Sequence, residues 1–294
     1  MNDNERKEII DSWHMRADPY HILTKNYQIF SDMAMSMIKF VEKHRLNNSK
    51  DIHIMDLAAG TGLVSKLLIE YLNISPSSLY LVEPAERMCL HARNNIKSDH
   101  IYKMSAEDCL LTNDLPRDYF DFILCNASMH LMSEDNIYPV VSKLLKPKTG
   151  YFIYTIWYHS FDETEHYQKN QFIETYINDA LTFFNYPIYF STTNRKKTKT
   201  NRSRKYLEEI ADKYGLKLES CTIHIHRTPL SFDLDFMLMT PNWLIQHLKT
   251  NQPSEYEDTY LIRERIIEKV QQLIEGIFTE IPVVNIIVSR ILIN

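Results

Sequence analysis

Two acidic side chains and a pair of glycines stand where a ribose-bearing ligand could be held. Asp56 closes a short apolar run, Ile52-His53-Ile54-Met55. The turn Leu57-Ala58-Ala59-Gly60-Thr61-Gly62 then opens an amphipathic stretch from Leu63 to Leu72. Glycine at such a turn lets the backbone approach a ligand and eases helix–strand packing. The chain has five glycines (Gly60, Gly62, Gly150, Gly215 and Gly276), so two in one turn indicate a backbone requirement. Glu83 ends the next apolar run, Leu79-Tyr80-Leu81-Val82, 21 residues after Gly62. That is close to the spacing of about 20 residues at which an acid on a second strand meets ribose hydroxyls. One carboxylate accepting from two hydroxyls makes a charge-assisted, bidentate contact.

The elements that must position these residues follow from periodicity. Glu5 to Lys43 reads as helix broken at Asp18-Pro19, with that pair as N-cap and first turn of a second helix. Its methionines, Met33, Met35 and Met37, read as core filler. From Asp51, short apolar runs alternate with helices. The strands are 52–55, 79–82, 101–104, 120–125 and 151–157, and the helices 63–72, 85–94 and 137–145. This alternation predicts a parallel sheet with helices on both faces. Beyond it, 163–184 and 204–214 read as helix, the latter ended by Gly215, and 218–226 as strand. Helices over 232–248 and 256–278 precede a last strand at 283–292.

In this setting the chain resembles the class I S-adenosylmethionine (SAM)-dependent methyltransferases. The resemblance rests on Asp56 to Gly62, Leu81-Val82-Glu83-Pro84, Ser105-Ala106-Glu107 and Asp121-Phe122-Ile123-Leu124-Cys125-Asn126. It covers residues 50–157 in order and the remainder more loosely. It implies a doubly wound, Rossmann-like α/β fold of seven strands, the last antiparallel, for which 283–292 is the candidate. It further implies that Asp56, Ala58, Gly60 and Gly62 face the methionine and ribose of SAM. Glu83 and Pro84 would hold the ribose, Ser105, Ala106 and Glu107 the adenine, and Asn126 would lie near the methionine moiety. Ala58 stands where the family usually has the first glycine. Bulk there crowds a pyrophosphate, which SAM lacks, so a nicotinamide dinucleotide is disfavoured. Ser105 replaces the usual adenine-side Asp, leaving Glu107 or the backbone for the adenine amine.

Ligands of open α/β sheets sit beyond the carboxyl ends of the strands. The loop Asn126-Ala127-Ser128-Met129-His130-Leu131 should therefore border the reacting side, with His130 as a candidate general base. Methyl transfer needs alignment more than acid–base help, and aromatic rings can steady a sulfonium. Trp13, Tyr20, Tyr27, Trp157 and Tyr158 are the lid and substrate candidates, and Tyr176 joins His130 as a catalytic candidate.

The expected organisation is an N-terminal helical lid (1–45), a SAM-binding core (46–160), an inserted lid (161–204) and the rest of the core with a helical insertion (205–294). Such additions favour a small-molecule substrate in a closed, aromatic-lined pocket, the product being S-adenosylhomocysteine. Two other readings of the same fold stay open. SAM could be consumed without an acceptor, by intramolecular cyclisation releasing methylthioadenosine, or the fold could be a non-catalytic interaction module.

Composition narrows the partners. A net charge of −5, with 44% apolar and 24% charged residues among 294, gives no general reason to expect nucleic acid or an anionic membrane. Arg195 to Lys205 holds seven basic residues without aromatic interleaving and reads as a solvated, flexible loop, with RNA as the competing partner. No run is long enough to span a bilayer and no signal-like core follows the N-terminus. Cys89, Cys109, Cys125 and Cys221 form no C-x-x-C pair, and a reducing cytoplasm is expected. His224 and His226 share a strand face, but no Cys, Asp or Glu at ligand spacing completes a metal site.

Overall fold

The computed structural model describes residues 3–45, 52–157, 172–189, 202–240, 243–251 and 259–291. Two helices lead the chain, α1 (Asp3–Asn26) and α2 (Ile29–His44). They are followed by β1 (Ile54–Leu57), α3 (Leu63–Leu72), β2 (Leu79–Val82), α4 (Glu86–Asn95) and β3 (Ile101–Tyr102). Then come β4 (Phe122–Cys125), α5 (Glu134–Leu144), β5 (Tyr151–Trp157), α6 (Ile173–Phe183) and α7 (Arg204–Lys213). The chain closes with β6 (Leu216–Pro229), α8 (Ser231–Leu238), α9 (Trp243–Asn251), α10 (Thr259–Ile274) and β7 (Phe278–Arg290).

The seven strands form one sheet in the order β3-β2-β1-β4-β5-β7-β6. Strands β1 to β5 pair in parallel and β7 runs antiparallel to β5, from Tyr151 opposite Ser289 to Trp157 opposite Val283. The expected doubly wound sheet with an antiparallel last strand is thus present. Strand periodicity divides the core between the two faces. Met55, Leu57, Ile123, Cys125, Phe152 and Tyr154 pack with α5 and α7, whereas Ile54, Leu79, Leu81, Phe122, Leu124 and Ile153 pack with α2, α3 and α4. Cys89, Cys109 and Cys125 are free and buried, as small hydrophobes would be.

Compactness divides the chain into two units, residues 1–167, 200–226 and 282–294, and residues 168–199 and 227–281. The first contains the N-terminal helices and most of the sheet. The second is helical and has its own core, in which Ile177, Leu181, Leu234, Leu248, Ile266 and Val270 are buried.

Three sequence expectations are corrected. Helix α1 runs through Pro19, and the break falls at Tyr27-Gln28. Asp18 does not cap a second helix: its carboxylate bonds His91 Nε2 at 2.8 Å and Arg87 on α4. The segment read as one helix over 232–248 is two, α8 and α9, separated around Thr240-Pro241. A proline biases its predecessor away from helical geometry, which supplies the missed signal. Finally, Arg202 is not part of a solvated loop but is buried, as described below. Ser203 caps α7, on which Arg204 and Lys205 are exposed, so these too are helical rather than loop; residues 195–201 lie outside the described residues, as does Tyr158.

No helix of the described residues is long and apolar enough to cross a membrane.

Candidate active site

The turn after β1 has a strained backbone. Ala58, Gly60 and Gly62 all have left-handed conformations, with φ of 56°, 56° and 81°. For Ala58 this costs about 1–2 kcal/mol relative to the right-handed region, so the residue that departs from the family pattern still keeps the glycine geometry. At Gly62 a Cβ would lie 3.2 Å from Ile96 Cγ1 and 3.4 Å from Ala92 Cα. Gly62→Ala is therefore expected to lower stability by about 1–2 kcal/mol through the backbone strain. The added methyl points at α4 rather than at the turn's open side, so ligand affinity should change less than the denaturation midpoint.

Two buried carboxylates flank this turn. Asp56 Oδ2 accepts from Ser65 N–H (3.1 Å) and Ser65 Oγ (2.7 Å). It thereby satisfies a free donor in the first turn of α3, where negative charge is favoured. Glu83 Oε2 accepts from Gly60 N–H and its Oε1 from Ala85 N–H, both at 2.9 Å. Each Glu83 oxygen keeps acceptor capacity for a further donor. Asp56 and Glu83 are 1% and 6% exposed. Burial pushes their carboxyls up, to about 6 and about 7, against the pull of those hydrogen bonds.

Helix α1 brings an aromatic side chain to the same place. A Cβ on Gly60 would lie 3.8 Å from Tyr20 Cε1. The Tyr20 phenol is raised well above its ordinary value by burial and then by the Glu83 and Asp56 charges. Three contacts seat α1: Arg6 Nη1 with Asp108 at 3.1 Å, Trp13 and Ala17 against Ala85 and Met88, and Asp18 with Arg87 and His91. Trp13 meets Tyr20 edge-on at 5.4 Å, Tyr20 meets Phe30 at 5.4 Å, and Phe30 meets Trp157 at 5.9 Å. Three of the expected lid aromatics are thus joined through Phe30, which sequence reading did not single out. Tyr27 lies in the turn between α1 and α2. Tyr176 lies on α6, in the core of the second unit.

On the sheet face that carries α2, a polar row runs from the carboxyl ends of β1, β4 and β5 to the middle of the antiparallel β7. Asp56 pairs in register with Leu124, Leu124 with Ile153, and Thr155 with Asn285. Alternation therefore places Asp56, Asn126, Thr155 and Asn285 on one face. Thr155 Oγ1 donates to Asn126 Oδ1 (2.8 Å) and accepts from Ala127 N–H (2.8 Å), while Asn126 Nδ2 donates to Phe30 O (3.1 Å). Asn126 thus ties the end of β4 to the start of α2. Ser105 precedes the short turn Ala106–Leu110, where Asp108 N–H donates to Ser105 O. Pro84 follows Glu83 at the end of β2.

His130 lies in a single-turn 3-10 segment, Met129–Leu131, just beyond Asn126. The buried side chains of Arg202 and Glu134 fasten this segment. Arg202 Nε donates to Glu134 Oε1 at 2.6 Å, and Nη2 donates to Met129 O (2.9 Å) and Met132 O (2.8 Å). Neither Ser65, Thr155, Glu134 nor Arg202 was singled out from sequence. A lone hydroxyl in the apolar run Tyr151-Phe152-Ile153-Tyr154-Thr155-Ile156-Trp157 could have marked Thr155. Nothing in the basic run distinguishes Arg202 from its neighbours.

Residues 54–148, from β1 through α5, match the model of a family described as a methyltransferase domain. Over those residues the chain is similar to a methyltransferase domain. No curated protein sequence matches the chain significantly. Among solved structures, the chain is similar to geranyl diphosphate C-methyltransferase from Streptomyces coelicolor, with 12% identity and a TM-score of 0.44 over 87% of this chain and 79% of that one. It is also similar to the YcgJ protein of Bacillus subtilis, with 14% identity and a TM-score of 0.47 over 88% and 97% of the two chains.

Proposed function

We propose that this methyltransferase transfers the methyl group of SAM to an O, N or C nucleophile of a small molecule, within a site closed by aromatic side chains. The observation that carries the reading is the Glu83 carboxylate, held on both oxygens by Gly60 and Ala85 N–H beside a left-handed turn. That geometry suits a ribose diol: two hydroxyls donate to the remaining lone pairs, while the turn lets the rest of the ligand approach the backbone. Asp56, Ala58, Gly60 and Gly62 would then border methionine and ribose, Pro84 the ribose, and Ser105, Ala106 and Glu107 the adenine. Asn126 would border the methionine moiety.

SAM supplies an activated methyl group on a sulfonium whose departure leaves a neutral thioether. The protein's part is to orient the nucleophile, exclude water and steady the cation. Tyr20 is the best-placed aromatic, since it reaches Gly60 from α1. His130 lies just past the end of β4 and would take a proton from an oxygen or nitrogen acceptor. Arg6, Asp18 and Trp13 keep α1 along this edge, so α1 acts as a cover.

Calorimetry with S-adenosylhomocysteine tests the cofactor site, and absence of binding at millimolar ligand would sink the reading. Incubating the protein with SAM alone separates methyl transfer from self-consumption. Methylthioadenosine released without an acceptor would replace the proposal with intramolecular cyclisation.

The raised Glu83 carboxyl gives the binding a pH dependence. Below about 7 the free site holds Glu83 protonated, whereas the diol requires the carboxylate, so ligand binding expels a proton. Affinity should fall about tenfold per pH unit on the acidic side and level off above neutrality. For stability the sign reverses. A carboxyl raised in the folded state favours folding at low pH, and its contribution is lost as pH rises through about 7. The thermal shift produced by S-adenosylhomocysteine should therefore grow between pH 5.5 and pH 8, a trend that differential scanning calorimetry reads directly.

A further inference from the structure

The Arg202–Glu134 pair is larger in its chemical demands than its surroundings require. Both side chains are sealed from solvent, at 1% and 0% exposure. Taking two charges out of water is costly, and well-packed apolar side chains of similar volume commonly fill such a place as well or better. The neighbourhood is already suited to apolar filling, since Tyr138, Tyr154, Met129 and Leu207 are buried in the same core cluster. What an apolar pair could not do is end on backbone carbonyls. Arg202 Nη2 binds Met129 O and Met132 O, the carbonyls on either side of His130 and Leu131, while Nε binds the first residue of α5.

The guanidinium therefore links the exit of the 3-10 turn to the entry of α5. The other end of the loop is fixed independently, by Ala127 N–H to Thr155 Oγ1 and by Ser128 Oγ to Asn126 O. Between those anchors the backbone has little freedom, and His130 is the side chain carried at its centre. The planar fork specifies direction as well as charge, which an ammonium would not.

We propose that Arg202 is a positioning residue: acting with Glu134 through the carbonyls of Met129 and Met132, it fixes the turn that presents His130 to the acceptor side of the site. This rests on the methyl-transfer reading for the meaning of His130, but not for the contact itself. Arg202 acts on the Met129 and Met132 carbonyls and on Glu134, whereas Glu83 is held by Gly60 and Ala85 N–H, so its effect should spare the Glu83 side.

The test uses the full chain, wild type and two variants: the double replacement Arg202→Met/Glu134→Leu, which removes the buried charges together, and Arg202→Lys. Three quantities are read: S-adenosylhomocysteine affinity by calorimetry, the His130 titration midpoint by NMR (assigned with His130→Gln), and amide exchange of the peptide spanning 126–133. In the double variant the affinity should stay within about threefold of wild type. The His130 midpoint should move by at least half a pH unit, and exchange across the turn should accelerate at least tenfold. Arg202→Lys, which keeps the charge but loses the fork, should move the midpoint and the exchange in the same direction by smaller amounts. A double variant with wild-type midpoint and exchange would overturn the proposal. Should that protein fail to fold, Arg202→Lys decides by the same two readouts. If the wild type binds no S-adenosylhomocysteine, the methyltransferase reading fails, while the titration and exchange still decide what Arg202 does.

Discussion

Replacing Glu83 by alanine is expected to weaken S-adenosylhomocysteine binding by roughly a hundredfold to ten-thousandfold. Two hydrogen bonds from ribose hydroxyls to an ionised carboxylate contribute about 1.5–3 kcal/mol each, and about 1.4 kcal/mol is a factor of ten in affinity. Glu83→Gln should lose nearly as much. Its amide has one acceptor oxygen, whereas Gly60 and Ala85 N–H already require one acceptor each. One of those donors would face an NH2 group, and one ribose hydroxyl would lose its acceptor. The unliganded protein should suffer far less, because burial already makes the Glu83 carboxylate costly at neutral pH. Calorimetric affinity and the unliganded thermal midpoint, measured together, separate the two effects. A variant that lost stability and binding in proportion would assign Glu83 a structural role instead.

That contrast explains why the turn after β1 and its two flanking carboxylates were legible in the sequence. A strand, a glycine turn, a helix and a second-strand acid obey local rules, and they recur at the expected places. The bounds of α3, β2 and β5 coincide with their sequence expectations. Asp56 and Glu83 carry signals because the backbone around them must be strained or capped in a particular way. Tertiary pairing is what sequence periodicity could not supply. Asp18 has the composition of an N-cap, yet Arg87 and His91 on α4 claim its carboxylate and α1 continues through Pro19. The break at Tyr27-Gln28 has neither glycine nor proline to announce it. The loop beyond β4 depends still more on long-range contacts. Asn126 is anchored by Phe30 O, 96 positions away, and Thr155 acts through Asn126. Arg202 looks like one more solvated cation until α5 places Glu134 beside it.

The second large effect concerns that ion pair. Arg202→Met alone is expected to destabilise the protein by about 3–5 kcal/mol, since it leaves the Glu134 carboxylate buried without its countercharge. It also strips Met129 O and Met132 O of their guanidinium donor. Glu134→Leu alone should be comparably harmful, stranding a buried guanidinium. The double replacement Arg202→Met/Glu134→Leu should recover most of the loss, because neither charge remains to be desolvated and the volume is kept. Urea unfolding of the four proteins forms a double-mutant cycle, and the coupling energy should approach the summed cost of the two single changes. Near-additive losses would mean that packing around Arg202, rather than its charge, holds the segment. A recovered midpoint with a still-altered His130 turn would separate the two consequences of one contact. The charges could then be dispensed with for folding, and their retention would be explained by the geometry they impose between β4 and α5.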